Sequence, residues 1–132
     1  MANEKRHEVQ VWLQKAENDL RSAQVDLAAD PPLIEDALFH CQQAAEKAMK
    51  AFLTAHDTIF RKTHDLDELA TVCEKIDASL RAALSPARDL TVFAWEFRYP
   101  DSGEAPPEAE AHEYLLLAQA TVGAIRERLG HL

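Results

Sequence analysis

The sequence predicts an all-α fold, an up-and-down bundle of four main helices with a short additional helix. Three observations predict it. Apolar residues recur at helical spacing over long segments, proline or glycine stands near where most of those segments should stop, and no run alternates with the period of a strand. A chain of 132 residues is long enough to bury a real core as one domain spanning 1–132.

The central element is the stretch running into F-H-C-Q-Q-A-A-E-K-A-M-K-A-F-L. At about 100° per residue, Ile34, Ala37, Cys41, Ala44, Ala48, Phe52 and Ala55 share one side. Leu38, Ala45, Met49 and Ala51 widen it, while His40, Gln42, Gln43, Glu46, Lys47, Lys50 and Thr54 fill the opposite arc. An apolar arc this broad, and this rich in alanine, belongs to a helix with several close neighbours. It should run from about Leu33 to His56.

The other elements follow in order. Asn3 is placed to cap a first helix, whose stripe of Val9, Trp12, Leu13, Ala16, Leu20, Ala23 and Leu27 runs to about Ala29. Asp30-Pro31-Pro32 stops it, because proline cannot continue the ladder. Asp65 and Glu68 have capping-box spacing and open a third helix with Leu66, Leu69, Ala70, Cys73 and Ile76 inward. A short helical turn is expected over Ala78 to Leu84. Ser85-Pro86 reads as a cap followed by proline at the first helical position. The fourth helix then turns Leu90, Phe93, Ala94 and Phe97 inward and ends near Arg98-Tyr99-Pro100. Asp101 to Pro107 is a polar loop. The last helix spans about Glu108 to Leu129, with Gly130 as its C-cap. Its core stripe is Ala111, Leu115, Ala118, Val122, Ile125 and Leu129. Leu116, Leu117, Ala120 and Ala124 fall off that stripe, as Val92 and Trp95 do in the fourth helix, and this surplus predicts a homo-oligomer.

The net charge of −9 excludes a broad basic face, so duplex nucleic acid is not an expected partner. Cys41 and Cys73 fall on apolar helix faces and read as small buried hydrophobes. No signal peptide opens the chain and no apolar run approaches membrane length, so a cytoplasmic setting off the membrane is expected. No cofactor motif is found: Gly103 and its prolines do not resemble a phosphate-cradling loop. No metal is expected either, because His40 and His56 stand sixteen residues apart and no carboxylate or Cys completes a helical ligand set.

Q-Q-A-A-E-K-A-M-K-A, followed by T-H-D-L and later by F-R-Y-P-D, resembles the HEPN domain family, small all-α proteins. The W-L-x-x-A-x-x-D-L opening, Trp12 to Leu20, belongs to the same pattern, so the resemblance covers nearly the whole chain. Many members are metal-independent ribonucleases carrying an Arg followed a few residues later by a His. There the His moves a proton and the Arg steadies the phosphate charge. In this chain the Arg in the matching place is Arg98, but Tyr99-Pro100-Asp101 follows it and no His stands at the required spacing. His112 is too far along, and Arg126 with His131 lies outside the motif's location. The catalytic set is therefore read as none.

The resemblance then implies a non-catalytic binding module for a nucleotide or similar substrate. Relatives of that kind act beside a separately encoded minimal nucleotidyltransferase, in a toxin–antitoxin-like pair. The alternatives are a ribonuclease toxin with a degenerate motif, or a purely structural homo-oligomer. For an anionic ligand the candidate contacts are Lys47, Lys50, Arg61, His64, Arg98 and Tyr99. Each has a plainer reading: Lys47 and Lys50 as a solvated helix face, His64 as packing at a helix start, Arg98 as an answer to a helix dipole.

Overall fold

The structure is a computed structural model, and it describes residues 1–97 and 100–130. Helix α1 (Asn3–Ala28) runs into a bend with a cis Asp30–Pro31 bond, and α2 (Ile34–Ala55) returns alongside it. A link leads to α3 (Leu66–Ile76), then a 3₁₀ turn (Ala78–Leu80), the single turn α4 (Arg81–Leu84) and a 3₁₀ helix (Pro86–Ala94). After the loop comes α5 (Glu108–Leu129). The described residues form helices and loops with no strand. No helix is long and apolar enough to cross a membrane among them.

α2 is the hub. It packs on α1, α5, α3 and the 3₁₀ helix, and thirteen of its twenty-two residues are buried, leaving only a half-exposed arc through Asp36, His40, Gln43 and Lys47. Its alanines explain how this is possible. Ala37, Ala44, Ala45, Ala48 and Ala51 are fully buried, and each keeps the side-chain layer thin enough for a neighbour to approach. Phe52, Met49, Leu38 and Leu53 fill the space between them.

Several local expectations fail, each for a physical reason. Asn3 lies inside α1 rather than capping it; Ala2 holds the cap position with no side-chain bond. Asp65 does cap α3, its side chain accepting from the Asp67 and Glu68 amides. The reciprocal half of the capping box is missing because Glu68 turns instead to Arg61. Ile76 is 37 % exposed, not inward: it is the last residue of α3, where the helix runs past its neighbours. Ser85 makes no cap bond, since it already has helical dihedrals and continues the turn of α4.

The fourth main helix is a 3₁₀ helix that stops at Ala94. Its run Thr91-Val92-Phe93 is β-branched and aromatic, the types that lose most rotamer freedom in an α-helix. Leu90, Phe93 and Ala94 are nevertheless buried as the pattern requires. The chain leaves the helix through Trp95, and Phe97 has a positive φ of 67°. Its expected end near Arg98-Tyr99 lies outside the described residues. Arg88 ties this element to α3 by pairing with Asp67 and Glu74.

Close approach at the alanines makes a sharp test. Ala44→Leu should lower stability by about 1–3 kcal/mol through overpacking, read as a shift of the urea unfolding midpoint. An unchanged midpoint would show that α2 has slack at that position.

Candidate functional site

The polar residues of α2 form two clusters, and neither is a solvated face. The first follows the i,i+4 ladder Gln42, Glu46, Lys50, and all three are buried. Glu46 sits at its centre. Its Oε1 accepts from Gln42 Nε2 at 3.1 Å and from His64 Nδ1 at 2.8 Å, and its Oε2 accepts from Lys50 Nζ at 3.0 Å. Gln42 also donates to the His64 carbonyl at 3.0 Å, and Gln43 donates to Gln42 Oε1 at 2.7 Å. The Lys50 ammonium lies 5.7 Å from the Trp12 ring centroid and 5.8 Å from that of Phe60, so both rings add cation–π attraction.

Burial alone would push the Glu46 carboxyl up, but hydrogen bonds from His64, Lys50 and Gln42 outweigh it and hold the group below its ordinary value of 4.5. Glu46 is thus ionised and paired, and His64 Nδ1 must be the donor to it. The arrangement bolts the link onto α2, because both the ring and the carbonyl of His64 are held there. His64 thus anchors the start of α3 while its side chain stays 64 % exposed.

The second cluster joins α2 to α1. Asp19 accepts from Lys47 Nζ at 2.6 Å, and its other oxygen lies 2.7 Å from His40 Nδ1. His40 Nε2 faces Asp36 Oδ2 at 3.4 Å, one helical turn earlier. Asp26, on α1, completes the group: its Oδ2 is buried with no hydrogen-bond partner. Its pKa is pushed up to about 6, first by burial and then by the Asp36 carboxyl beside it, with His40 pulling the other way. The expectation that no carboxylate completes a helical ligand set does not hold here. Asp36 and His40 stand at i,i+4 on α2, and ligand atoms of Asp26, Asp36 and His40 all lie within 4.8 Å of one another.

The predicted anion contacts are therefore divided. Lys50 and His64 meet on Glu46, Lys47 belongs to Asp19, and Arg61 is held by both oxygens of Glu68. Arg98 and Tyr99 lie outside the described residues. The α3 N-terminus offers an anion no free amide. Leu66 N–H donates to Thr91 Oγ1, Asp67 and Glu68 N–H to the Asp65 side chain, and Leu69 N–H to the Asp65 carbonyl. Sequence reasoning missed Asp19, Asp26 and Asp36. The i,i+4 spacing of Asp36 and His40 was one available signal; Asp19, the acid of the W-L-x-x-A-x-x-D-L pattern, and Asp26, an acid beside the apolar stripe of α1, were the others.

Burial pushes the Cys41 and Cys73 thiols up to about 12, so both stay protonated and inert, as expected of small buried hydrophobes. Two larger grooves, each of about 600 Å³, flank α1 and carry residues of α5. One is lined by His7, Gln10, Gln14 and Arg126, the other by Asn18, Arg21, Gln24 and Gln119, and neither contains a carboxylate–histidine pair.

An all-α bundle with a buried charged ladder on its central helix is the class these features define. The chain belongs to the HEPN domain family, whose pattern matches residues 9–128, a span containing both clusters. Among solved structures it is similar to TT1696 from Thermus thermophilus, with 33 % identity over 90 % of this chain and 96 % of that one, and a TM-score of 0.72. No curated protein matches it.

The Glu46 cluster yields a prediction with a defined pH dependence. Glu46→Gln strands the Lys50 ammonium and should cost about 3 kcal/mol at neutral pH. Lys50→Met, which leaves the Glu46 carboxylate buried with one donor fewer, should likewise cost about 3 kcal/mol at neutral pH. Because the folded pKa of Glu46 is depressed, its contribution is complete above 4.5 and is lost as pH falls through the lower folded value. The gap between wild type and Glu46→Gln in urea unfolding should therefore close on acidification below that point. A gap independent of pH would refute the assignment.

Proposed function

We propose that this chain is a non-catalytic HEPN-type binding module. It takes a small nucleotide or a similar anionic substrate and acts with a separately encoded minimal nucleotidyltransferase, in a toxin–antitoxin-like pair. One observation carries the non-catalytic part: Arg98 is followed by Tyr99-Pro100-Asp101-Ser102-Gly103-Glu104, with no histidine to move a proton. The pairing of cations supports the same view. Lys47, Lys50 and Arg61 are each neutralised by a carboxylate, whereas a cleavage site needs positive charge aimed at the phosphate.

That pairing also ranks the anion contacts. Arg61 and Glu68 are a solvent-exposed pair, weakened by water and salt, so a phosphate can replace Glu68 at little cost. Lys50 and Glu46 are buried, and pulling them apart is costly. Arg61 and the exposed ring of His64 are therefore the ligand contacts, and Lys50 is their support. A homo-oligomer is part of the same reading. Leu116 is 65 % exposed and Trp95 51 %, with Val92 also exposed. They lie on α5 and at the 3₁₀ helix, which are joined by the Phe93–Tyr114 ring contact. Leu117 and Ala124, by contrast, are partly covered by the core.

Three measurements check this. ATP titrated into isotope-labelled protein should shift the amides around Arg61 and His64, and Arg61→Ala should abolish those shifts. Single-stranded RNA incubated without metal should stay intact; cleavage that Arg98→Ala removes would install the ribonuclease reading instead. For the oligomer, light scattering at micromolar concentration should report more than one chain per particle, and Trp95→Asp with Leu116→Asp should return it to a monomer. A monomeric wild type ends that part of the reading.

A further inference from the structure

Asp26 breaks a rule that the rest of the bundle obeys. It is 8 % exposed, and one of its carboxyl oxygens is buried with no N–H or hydroxyl donor, facing instead the Asp36 carboxyl, with which it can pair only by sharing a proton. Stranded buried acceptors are costly and rare. A helix-dipole role explains Asp36, which stands in the first turn of α2. It does not explain a second carboxylate, delivered from α1 and set beside the first in the interior.

His40 points to what the pair is for. A carboxylate can only accept, so the 2.7 Å contact with Asp19 places the ring proton on Nδ1. Lys47 holds the other Asp19 oxygen at 2.6 Å, which fixes that carboxylate in turn. Nε2, the ring's other nitrogen, faces Asp36 Oδ2 at 3.4 Å. A carboxylate orienting a histidine so that its other nitrogen binds outward is the usual support for a metal-ligating imidazole. The three side chains open into a cavity of about 250 Å³, which Arg21, Ser22 and Val25 complete.

We propose that Asp26, Asp36 and His40 bind one divalent transition-metal ion, Zn²⁺ or Mn²⁺, with Asp19 positioning the histidine. An imidazole with two carboxylates selects such an ion over Mg²⁺, which prefers oxygen ligands and keeps its waters. Ligand atoms around Zn²⁺ stand about 3–3.5 Å apart, given bonds of about 2.0–2.2 Å. The present atoms lie within 4.8 Å. Asp36, with 57 % of its side chain exposed, is free to rotate inward and close the difference. Two carboxylates and a neutral imidazole balance the charge of the ion, and its remaining positions stay open to water on the cavity side. Bound there, the ion joins the end of α1 to the start of α2 across the Ala29–Leu33 bend.

Isothermal titration with MnCl₂ and with ZnCl₂ tests the proposal, with MgCl₂ for comparison. Wild type should bind one Mn²⁺ or Zn²⁺ per chain, each more tightly than Mg²⁺. Asp26→Asn should abolish this binding while leaving the fold intact, since it removes a buried charge. Asp19→Asn should weaken it about 10–100-fold, as supporting carboxylates do. Arg21→Gln should tighten it by removing a positive charge at the cavity. Pulsed electron paramagnetic resonance on the Mn²⁺ complex should show nitrogen coupling that His40→Gln eliminates, and this decides the matter even if an Asp26 variant misfolds. Absence of binding by wild type overturns the proposal. So does binding that survives both Asp26→Asn and His40→Gln, which would place the ion on surface histidines such as His7 or His56.

Discussion

The constraint on which this fold depends is the enclosure of α2. A helix packed on four neighbours keeps only a narrow half-exposed arc, here Asp36, His40, Gln43 and Lys47, on which to leave polar side chains. The other polar residues its sequence carries must therefore find partners inside the protein or pay desolvation. Gln42, Glu46 and Lys50 show the result. They are buried like the leucines around them, and Glu46 supports three donors at once. The link from α2 to α3 is placed by this need. His64 reaches back to Glu46 with its ring and receives Gln42 at its carbonyl, so the start of α3 is pinned to the middle of α2.

Periodicity made the helices legible and made their environment illegible. α2 and α5 match their expected limits within a residue, and the short turn over Ala78 to Leu84 is found where it was expected. These elements have long stripes and clear stops, which local physics reads well. Caps were read less well, because capping is decided by where the chain comes from. Asp65 has its side chain free to turn back, while Ser85 is already committed to a helical turn. The 3₁₀ geometry of Pro86–Ala94 was hidden because its burial pattern suits either helix type. The error over Lys50 has the same root. An i,i+4 Glu–Lys pair looks identical on a solvated face and under a covering loop; only the path of residues 57–65 distinguishes the two.

The same reasoning separates what the family pattern specifies from what it does not. Q-Q-A-A-E-K-A-M-K-A is explained almost wholly by packing: alanines for close approach, Gln42, Glu46 and Lys50 for the buried ladder, Lys47 for Asp19. T-H-D-L is explained by His64 on Glu46 and by Asp65 as the cap of α3. These residues can therefore be characteristic of the fold without being chemical. Membership of the HEPN family fixes the architecture, and activity has to be argued from sites placed upon it. In this chain the lysines of the pattern are structural, which shifts attention to exposed Arg61 and to positions outside the pattern.

Asp26 is such a position. Natural sequences are consistent across levels, and places where a local rule is broken without compensation tend to be functional. The two clusters on α2 make the comparison internal to one molecule. Around Glu46 every charge is answered and the pKa falls; at Asp26 a carboxylate is buried against another and the pKa rises. Both lie against the same helix in the same core, so the difference does not come from a general tolerance of poor packing. An asparagine at position 26 would keep the shape and remove the repulsion. The two Asp26 amide contacts, from Ala29 and Leu33, go to its backbone carbonyl and make no demand on the side chain. A proton shared between the Asp26 and Asp36 carboxyls would answer the buried oxygen in the metal-free chain, and the coordination of a cation would replace that proton.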